Sequence, residues 1–313
     1  MSTQVTRPVV VGVDGTEDGD RALRFAVEEA HRLHAGLRIV SAIPEYYPVT
    51  PMLPTMRSER FADTAERIVG QAEAEATRMG KGKLQIETVI RYGSAVHTII
   101  EAAHDARLIV VGHRQLNHVD RIFTGSTTIG VAARAECPVV SVTETWPRAG
   151  VAGRVVVGID GSSASSEVLR AGFEAASERG AVLVVVHAWE LPTAYADIVE
   201  SSVTAEEWRT ESAPVVSEVL AGWQEQFPDV KVEVLLRYQR TVDALVTASA
   251  DADLVVVGRH GHGGWAAGLT GVPFGSVARA VLAHAHCPVE VAPHVRVHSD
   301  DHHRDRAPAQ HHS

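Results

Sequence analysis

The chain alternates short apolar runs with longer segments whose apolar residues recur at helical spacing. Its clearest run, at residues 254–257, contains no polar residue, which is typical of a strand covered on both faces, as in a parallel sheet. Further strands are predicted at 9–13, 37–42 and 182–188. Between the first two, residues 18–33 carry apolar side chains three or four positions apart. Strands that alternate with helices in this way predict parallel βαβ units and a doubly wound α/β sheet.

The first half of the chain shows the order of the remaining elements. A helix is predicted to begin near Thr16 or Asp18 and to end before Gly36. The other predicted elements of this half are a helix at 58–79, a third strand at 84–91, a helix at 94–105, a fourth strand that ends at Gly112 and a closing strand at 138–142. In the second half, Pro214 is expected to start, end or kink a helix. Residues 43–57 and 189–204, which follow the second strands, are predicted to be surface segments long enough to act as lids.

A glycine-rich loop directly follows the run at residues 254–257. Gly258 ends this strand, and a helix is predicted to begin at Gly275 and Ser276. The loop between them contains Gly261, Gly263, Gly264, Gly268 and Gly271. Glycines accept positive φ and let a ligand approach the backbone, and the N–H groups of such a loop and of a helix N-terminus form an anion site. The order strand, glycine loop and helix favours phosphate binding, with a connector that binds no ligand as the alternative.

The chain contains two copies of the same unit. The run VVVGVDG around Asp14 returns as VVVGIDG around Asp160, and LIVVG at Gly112 returns as LVVVG at Gly258, both 146 residues later. Beyond the glycine loop the offset is 150 residues, so the second loop is four residues longer. This repetition predicts a duplicated domain. We expect a first domain at 1–146, a linker at 147–153, a second domain at 154–294 and a disordered, His-rich tail at 295–313.

Composition narrows the class of protein. A chain of 313 residues exceeds one ordinary hydrophobic core, in agreement with two domains. The net charge of -10 opposes non-specific attraction to nucleic acid or to an anionic membrane, so no nucleic-acid partner is expected. No stretch approaches the roughly 18 uninterrupted apolar residues of a membrane span. The N-terminus runs into a strand without a signal-peptide pattern, and two cysteines give no disulfide framework, so a cytoplasmic location is expected.

These repeated motifs resemble the universal stress protein family. The resemblance covers residues 8–293 and rests on VVVGVDG and VVVGIDGS, on DLVVVGRHGHGG with a later GSV, and on the closing CPV strands. It implies, for each half, a five-stranded parallel sheet of order 3-2-1-4-5 and the nucleotide signature G-x2-G-x9-G-[ST]. The first half departs from this signature at Gln115, which stands where the second glycine belongs. The second half keeps Gly258 and Gly261 but has thirteen residues before Gly275, where the signature has nine.

The resemblance also implies where a nucleotide would bind. In this strand order the helices after strands one and four lie on opposite faces, so a crevice opens at the carboxyl ends of these strands. By resemblance, Asp14 and Asp160 would contact the ribose or adenine. The other implied contacts are the backbones of Ala42 and Ala188 with adenine, and those of Gly112, Gln115, Gly125, Ser126 and Thr127 in the first half and Gly258, Gly261, Gly275, Ser276 and Val277 in the second half with the triphosphate. The implied cofactor is ATP, with Mg²⁺ as an optional companion. No lysine lies in either loop, so the site is not a Walker-type P-loop.

The implied function is that of an ATP-binding regulator in the stress response, whose nucleotide changes a surface that a protein partner recognises. No constellation of base, nucleophile and metal ligand is found, so at most slow ATP hydrolysis is expected. Two other functions stay open. An adenylate-forming or ATP-hydrolysing enzyme on a related sheet would carry SGGxDS or HxGH after the first strand, where this chain has VDGT. A nucleotide-free interaction module is the other, since neither signature is complete.

The closing strands at 138–142 and 288–291 indicate how the two halves of the chain join. In the order 3-2-1-4-5 each would be an apolar sheet edge, and such an edge needs covering. We expect the two edges to face each other within the chain as a pseudo-dimer, and a homodimer of whole chains is left open.

Several side chains have a simpler alternative role. Asp14 and Asp160 could cap the following helix, although capping does not require Asp at both places. The cationic and histidine side chains near the loops, such as His113 and Arg259, are interpreted as solvated, with one or two per site contacting phosphate. Cys287 and its counterpart Cys137 are interpreted as packing residues. A zinc site formed by His260, His262, His284 and His286 is disfavoured, because this spacing matches no closed site.

Overall fold

The computed structural model describes residues 7–44, 58–113, 126–147, 150, 152–160, 165–189, 201–259 and 274–293. The first half comprises β1 (Val9–Gly12), α1 (Glu17–Arg32), β2 (Leu37–Ile43), α2 (Ser58–Met79), β3 (Ile86–Tyr92), α3 (Ala95–Ala102), β4 (Leu108–Gly112), α4 (Ser126–Ala132) and β5 (Val139–Val142). The second half comprises β6 (Arg154–Ile159), α5 (Ser165–Arg179), β7 (Val182–Trp189), α6 (Ser201–Gln226), β8 (Val232–Tyr238), α7 (Thr241–Ser249), β9 (Leu254–Gly258), α8 (Ser276–His284) and β10 (Val289–Ala292). The alternation of strands and helices is the one that the sequence predicts.

The strands form a single ten-stranded sheet of order β3-β2-β1-β4-β5-β10-β9-β6-β7-β8. Strands within each half are parallel, and their order is 3-2-1-4-5 in both halves, as predicted. The halves join where β5 pairs antiparallel with β10, with Val140 opposite Glu290. The expectation that the two closing edges face each other within the chain is therefore confirmed.

Helices cover both faces of this sheet, so its central strands are buried on both sides. α1, α2, α5 and α6 pack on one face, and α3, α4, α7 and α8 pack on the other. Val9 and Val11 of β1 face the first layer and Val10 faces the second, because side chains alternate along a strand. β4 and β9 are buried up to their last residues, Gly112 and Gly258. Burial on both faces explains why these strands read as uninterrupted apolar runs.

Two helices differ in extent from the predictions. Pro214 neither starts nor ends a helix, because α6 runs through it; proline removes one helical hydrogen bond, but burial of Val216 and Leu220 holds the segment to the sheet. α3 ends at Ala102, three residues early, and Asp105 beyond it binds Arg38 at 2.6 Å. A carboxylate that pairs with a strand residue fixes the chain after the helix in a non-helical path.

Some expectations concern residues that are only partly described. The linker passes Trp146, whose ring packs edge-on against Phe25 at 5.3 Å, and Asp253 accepts hydrogen bonds from the backbone N–H groups of residues 152–154. Most of the two predicted lid segments, at 45–57 and 190–200, and the His-rich tail lie outside the described residues. Among the helices that are described, none has the length and apolar character needed to span a bilayer.

Candidate functional site

The carboxylate of Asp14 stands at the carboxyl end of β1, where the sheet order reverses. Its Oδ1 accepts hydrogen bonds from the backbone N–H of Thr16 at 3.1 Å and from the Thr16 hydroxyl at 2.6 Å. Thr16 in turn is the N-cap of α1, because its Oγ1 accepts from the backbone N–H of Gly19 at 3.3 Å. Asp14 is therefore not the cap of α1. Oδ1 is held in a turn, and Oδ2 makes no hydrogen bond within the described part of the chain.

Asp160 occupies the same place at the end of β6. Its Oδ1 accepts a hydrogen bond from the hydroxyl of Ser165, the first residue of α5, at 3.0 Å, and its own N–H donates to that hydroxyl at 3.3 Å. Both aspartates are exposed, although most residues of the strands that precede them are buried. Each half thus holds one oriented carboxylate at the opening of its crevice.

Gly112 brings β4 directly against the start of α1. A Cβ added to Gly112 would lie 2.5 Å from the carbonyl oxygen of Asp18, which is far inside van der Waals contact. The Gly112 carbonyl also accepts a hydrogen bond from the hydroxyl of Thr128 in α4 at 3.3 Å. The end of β4 is therefore fixed to the helices of both faces, and no side chain fits at Gly112.

One backbone hydrogen bond joins the two described ends of the predicted phosphate loop of the second half. The backbone N–H of Gly275 donates to the carbonyl of Arg259 at 2.9 Å, so the residue after β9 meets the residue before α8. Gly275 is the N-cap of α8 and provides no side-chain acceptor, so the first N–H groups of the helix, at Ser276 and Val277, receive no side-chain cap from the described residues. These N–H groups and the positive end of the helix favour an anion here.

The first half has the corresponding helix start, with Ser126 as the first residue of α4 and Thr127 half-buried behind it. Three predicted contact residues, Gln115, Gly125 and Gly261, lie outside the described residues. The described members of the predicted site come together at the carboxyl edge of each half-sheet.

The backbone of Ala42 faces the open end of the crevice. Val13 N–H donates to the carbonyl of Val40 at 2.9 Å, so the backbone groups of Val40 point towards β1. Ala42 lies two residues further along β2, so its N–H and C=O point to the same side, beyond the end of β1. In the second half, the hydroxyl of Thr241 donates a hydrogen bond to the carbonyl of Ala188 at 3.4 Å. The counterpart of Thr241 in the first half is Ala95, which has no hydroxyl to donate.

A cluster of four rings lies beside Ala188 in the second half, and the described residues of the first half form no equivalent cluster. Its ring centroids are 5.4 Å apart for His187 and Trp208, 6.2 Å for Trp189 and Trp208, and 5.5 Å for Trp189 and Tyr238. The positions 146 residues earlier hold Ser41, Ile43, Ala62 and Tyr92. Sequence reasoning missed this aromatic cluster, because Trp208 lies on a distant helix. A signal was present in the His-Ala-Trp ending of β7.

His113, which directly follows Gly112, is buried, so its interpretation as a solvated residue is wrong; Arg259, which follows Gly258, is half-buried and has a partner within the protein. His113 is 3% exposed, burial lowers the pKa of its imidazole, and its Nδ1 lies 3.4 Å from the Ser141 hydroxyl. Arg259 Nη2 donates to the carbonyl of Ala135, a residue of the other half. Both side chains leave the loop and enter the junction between the halves, because β4 and β9 flank the closing strands there.

The cysteines and histidines are placed as follows. Cys287 is buried, and burial raises the pKa of the Cys137 thiol to about 12, which makes its reactive thiolate form scarce. His260 and His262 lie outside the described residues, and within the described ranges no group of three or more His, Cys, Asp or Glu is arranged to hold a metal.

Comparison with known proteins gives the relatives of the chain. The sequence model of the universal stress protein family matches residues 6–143 and again residues 152–293. A universal stress protein of Mycolicibacterium smegmatis is 34% identical over 291 residues, covering 90% of this chain and 96% of that protein. One from Mycobacterium tuberculosis strain H37Rv is 34% identical over 299 residues, covering 91% and 96%.

Solved structures share the fold. The crystal structure of a universal stress protein from Archaeoglobus fulgidus matches with a TM-score of 0.68 at 17% identity, covering 91% of this chain and 96% of that chain. A Pseudomonas aeruginosa structure matches with a TM-score of 0.59 at 17% identity, covering 93% of this chain and 94% of that chain. The architecture of two joined half-sheets therefore recurs in proteins of distant sequence.

Proposed function

The chain belongs to the universal stress protein family, and we propose that it binds an adenine nucleotide, ATP in the first place, in each half and acts as a nucleotide-dependent regulator of the stress response. One observation carries the proposal. In each half an oriented aspartate, a glycine at the end of a strand and the start of a helix meet at the edge where the strand order reverses. Such switch points are where doubly wound sheets bind their ligands.

The residues at this edge suit three parts of an adenine nucleotide: the ribose, the adenine ring and the phosphates. The Oδ2 atom of Asp14 is suited to accept hydrogen bonds from ribose hydroxyls, and the carboxylate of Asp160 stands at the equivalent place in the second half. The backbone of Ala42 has a donor and an acceptor side by side, which suits the edge of an adenine ring. The N–H groups at the start of α8 suit phosphate oxygens, and Mg²⁺ would accompany the phosphates rather than occupy a protein cage.

The regulatory role follows from the character of the site. Its polar groups are suited to hold a ligand in place, and the two described hydroxyls that adjoin its carboxylates, those of Thr16 and Ser165, are tied into the starts of α1 and α5. We therefore place the function in binding, with hydrolysis at most slow. A protein partner that reads the nucleotide state, and a cytoplasmic location, complete the proposal. Because β5 and β10 already cover each other, a homodimer of whole chains would have to use another surface.

The test begins with the protein purified without added nucleotide. Denaturation should release an adenine nucleotide, which chromatography and mass spectrometry identify. A chain carrying both Asp14→Ala and Asp160→Ala should release much less, and Asp20→Ala, which removes an exposed acid from the first turn of α1, should release as much as the parent. Equal release from the double variant and the parent would show that the aspartates do not hold the nucleotide.

Incubation with ATP then separates binding from catalysis. The proposal predicts that ATP stays intact over many minutes at equimolar protein. Rapid release of pyrophosphate or phosphate would favour an enzyme on this fold instead, and a protein that neither retains nor binds any nucleotide would favour an interaction module.

A further inference from the structure

The strand β8 has no neighbour on its outer side within the described part of the chain. It pairs in parallel with β7 from Val232 to Tyr238 and stands last in the strand order of the sheet. An open groove runs along this side, lined by Arg209 and residues 234–239. Unpaired N–H and C=O groups along an exposed edge strand form a template on which another strand can pair.

Alternate residues of β8 present these backbone groups to the groove. The carbonyl of Lys231 accepts the N–H of Leu183 in β7 at 2.8 Å, so the backbone of Lys231 points inward. Backbone groups alternate in direction along a strand. The residues whose N–H and C=O groups point outward are therefore Val232, Val234, Leu236 and Tyr238. Their side chains share the face on which α6 packs, and there Val234 is 41% exposed.

The opposite face of β8 carries an acid and a base at equal distances from its central residue. Leu235 is the middle of the strand, and Glu233 and Arg237 lie two residues before and after it. Glu233 binds Arg154 of β6 at 2.5 Å. Arg237 is exposed and takes part in no ion pair among the described residues. Within that part of the chain, the positive charge of Arg237 is therefore not neutralised.

This spacing makes β8 complementary to a second copy of itself. In an antiparallel pair centred on Leu235, Glu233 of each copy lies opposite Arg237 of the other. Side chains are close at such positions, because the two residues exchange no backbone hydrogen bonds. Val234 of each copy lies opposite Leu236 of the other, and both present outward N–H and C=O groups that can bond. Charge pairs and backbone hydrogen bonds therefore agree on one register.

Neighbouring antiparallel registers fit less well. A pair centred on Val234 would place Arg237 opposite Lys231, and a pair centred on Glu233 would place two glutamates opposite each other. Like charges directly opposite each other destabilise a strand pair. A pair centred one residue beyond Leu235 would bring neither charge opposite its counterpart. The charges therefore select the register centred on Leu235.

The other outer strand of the sheet, β3, has the same two charges, but both are already paired. Arg91, 146 residues before Arg237, binds Glu101 of α3 at 3.3 Å. Glu87 binds Arg38 of β2 at 2.8 Å. The first half therefore satisfies its edge charges within the chain.

Sequence differences between the halves explain this contrast. The position of Glu101 holds Thr247 in the second half, so Arg237 lacks the equivalent acid. Thr88 of β3 stands where β8 has Val234. β8 is therefore the more apolar edge with the unneutralised charge, and β3 provides matched control positions.

From this self-complementarity we infer that two copies of the chain associate through β8, antiparallel about a two-fold axis at Leu235. The two sheets of ten strands then form one continuous sheet. Because both copies use the same surface, the assembly closes at the dimer. The inference goes beyond the proposed function and needs no bound nucleotide.

Association is measured by analytical ultracentrifugation of the intact chain without nucleotide, over a range of concentrations. The parent should form a dimer of twice 33.6 kDa. Arg237→Glu puts a carboxylate opposite Glu233 of the second copy and should weaken the dimer by about tenfold or more. Glu233→Arg should weaken it likewise, because two cations then face each other. Arg91→Glu, at the matching position of β3, should leave the dimer unchanged.

A mixture of the two charge variants separates this contact from a loss of folding. Equimolar Arg237→Glu and Glu233→Arg chains should together regain the affinity of the parent, because each acid again faces a base. Misfolded chains would not recover on mixing, and thermal unfolding checks each variant alone.

A cysteine at the axis tests the register. Leu235→Cys places two thiols where the Cα atoms of paired strands lie about 4.5 Å apart, so mild oxidation should give a covalent dimer. Val89→Cys, at the equivalent position of β3, should give none.

Several results would overturn the inference. These are a parent that stays monomeric at its highest soluble concentration, charge variants of β8 that associate like the parent, and a Leu235→Cys chain that does not cross-link. Loss of association in Arg91→Glu alone would assign the interface to β3. Assemblies longer than dimers would indicate β3 of one copy on β8 of the next, which also contradicts a closed dimer.

Discussion

The guanidinium of Arg179 lies 2.8 Å from the carboxylate of Glu29, and this pair joins α5 of the second half to α1 of the first. The side chains are 10% and 2% exposed, so the pair is shielded from water. Arg32, which like Glu29 belongs to α1 of the first half, also donates to this carboxylate. A buried charge that loses a partner is not compensated by solvent, so this pair is a sensitive point of the junction.

Replacing Arg179 by Met should lower the free energy of unfolding by about 3 kcal/mol, because Glu29 stays buried with one partner fewer. Urea denaturation measures the change. Arg170→Ala on the same helix is the control, since Arg170 and Glu174 form an exposed pair. An exposed pair of this kind contributes less than about 1 kcal/mol. Equal effects of the two substitutions would contradict the account of the junction.

The junction should also make stability depend on pH through Glu290. Burial raises the pKa of its carboxyl to about 8, although Arg179 acts to lower it, while Glu29, Glu178 and Glu174 also raise it. The folded protein therefore keeps a proton that the unfolded chain loses above the ordinary value of 4.5. Stability from this group is complete below that value and is lost as pH rises through about 8.

Glu290→Gln should remove this pH dependence. Between pH 5 and 8, the free energy of unfolding should then fall less steeply with pH than in the parent, by at most about 1.4 kcal/mol per pH unit. Denaturation midpoints across this range measure it, with the exposed Glu225→Gln as the control. His113, whose pKa burial lowers, acts in the opposite direction in parent and variants alike, so the difference between curves isolates Glu290. Parallel curves for the parent and Glu290→Gln would show that the carboxyl titrates normally.

Because α1 lies close to β4, a methyl group added at Gly112 should change the stability of the protein. Gly112→Ala should destabilise the protein by about 1–3 kcal/mol, because the new Cβ meets the backbone of Asp18. Gly70→Ala in α2 is the matched substitution, since a Cβ there meets nothing within 4 Å. It should stabilise the protein by about 0.5–1 kcal/mol through helix propensity. Thermal unfolding distinguishes the signs, and a neutral Gly112→Ala would contradict the packing described.

Much of the fold follows from local patterns in the sequence. The uninterrupted run at 254–257 indicates a strand buried on both faces because a side chain in the middle of a covered sheet has no polar environment. The repeat at 146 residues predicts the second half from the first. Asp14 and Gly112 could be placed at the crevice once the strand order was expected, since parallel strands bring their carboxyl ends to one edge.

The parts that sequence reasoning missed depend on contacts between distant residues. Nothing near Arg259 in the chain indicates Ala135 as its partner, because that contact exists only once β5 and β10 pair. Trp208 joins the rings of β7 through the packing of a long helix, which periodicity does not specify. Pro214 inside α6 shows the same limit, since tertiary burial outweighs a local helix breaker.

The four-ring aromatic cluster predicts a difference between the sites. The test uses a chain with Asp14→Ala, in which only the second site is expected to bind ATP. In this chain, Trp208→Leu should weaken ATP binding by about threefold to tenfold, because the rings support the segment at Ala188. Trp208→Phe, which keeps a stacking ring, should lose less. Fluorescence titration with ATP provides the affinities. Equal affinities of the Asp14→Ala chain alone and with Trp208→Leu or Trp208→Phe would show that the aromatic cluster does not contribute to nucleotide binding.

The central claim, one adenine-nucleotide site in each half, is tested most directly by the number of ATP molecules bound per chain. Calorimetric titration should give two for the intact chain, one for Asp14→Ala, one for Asp160→Ala and none for the double variant at the same concentrations. Two molecules bound by the double variant, or none by the intact chain, would contradict it.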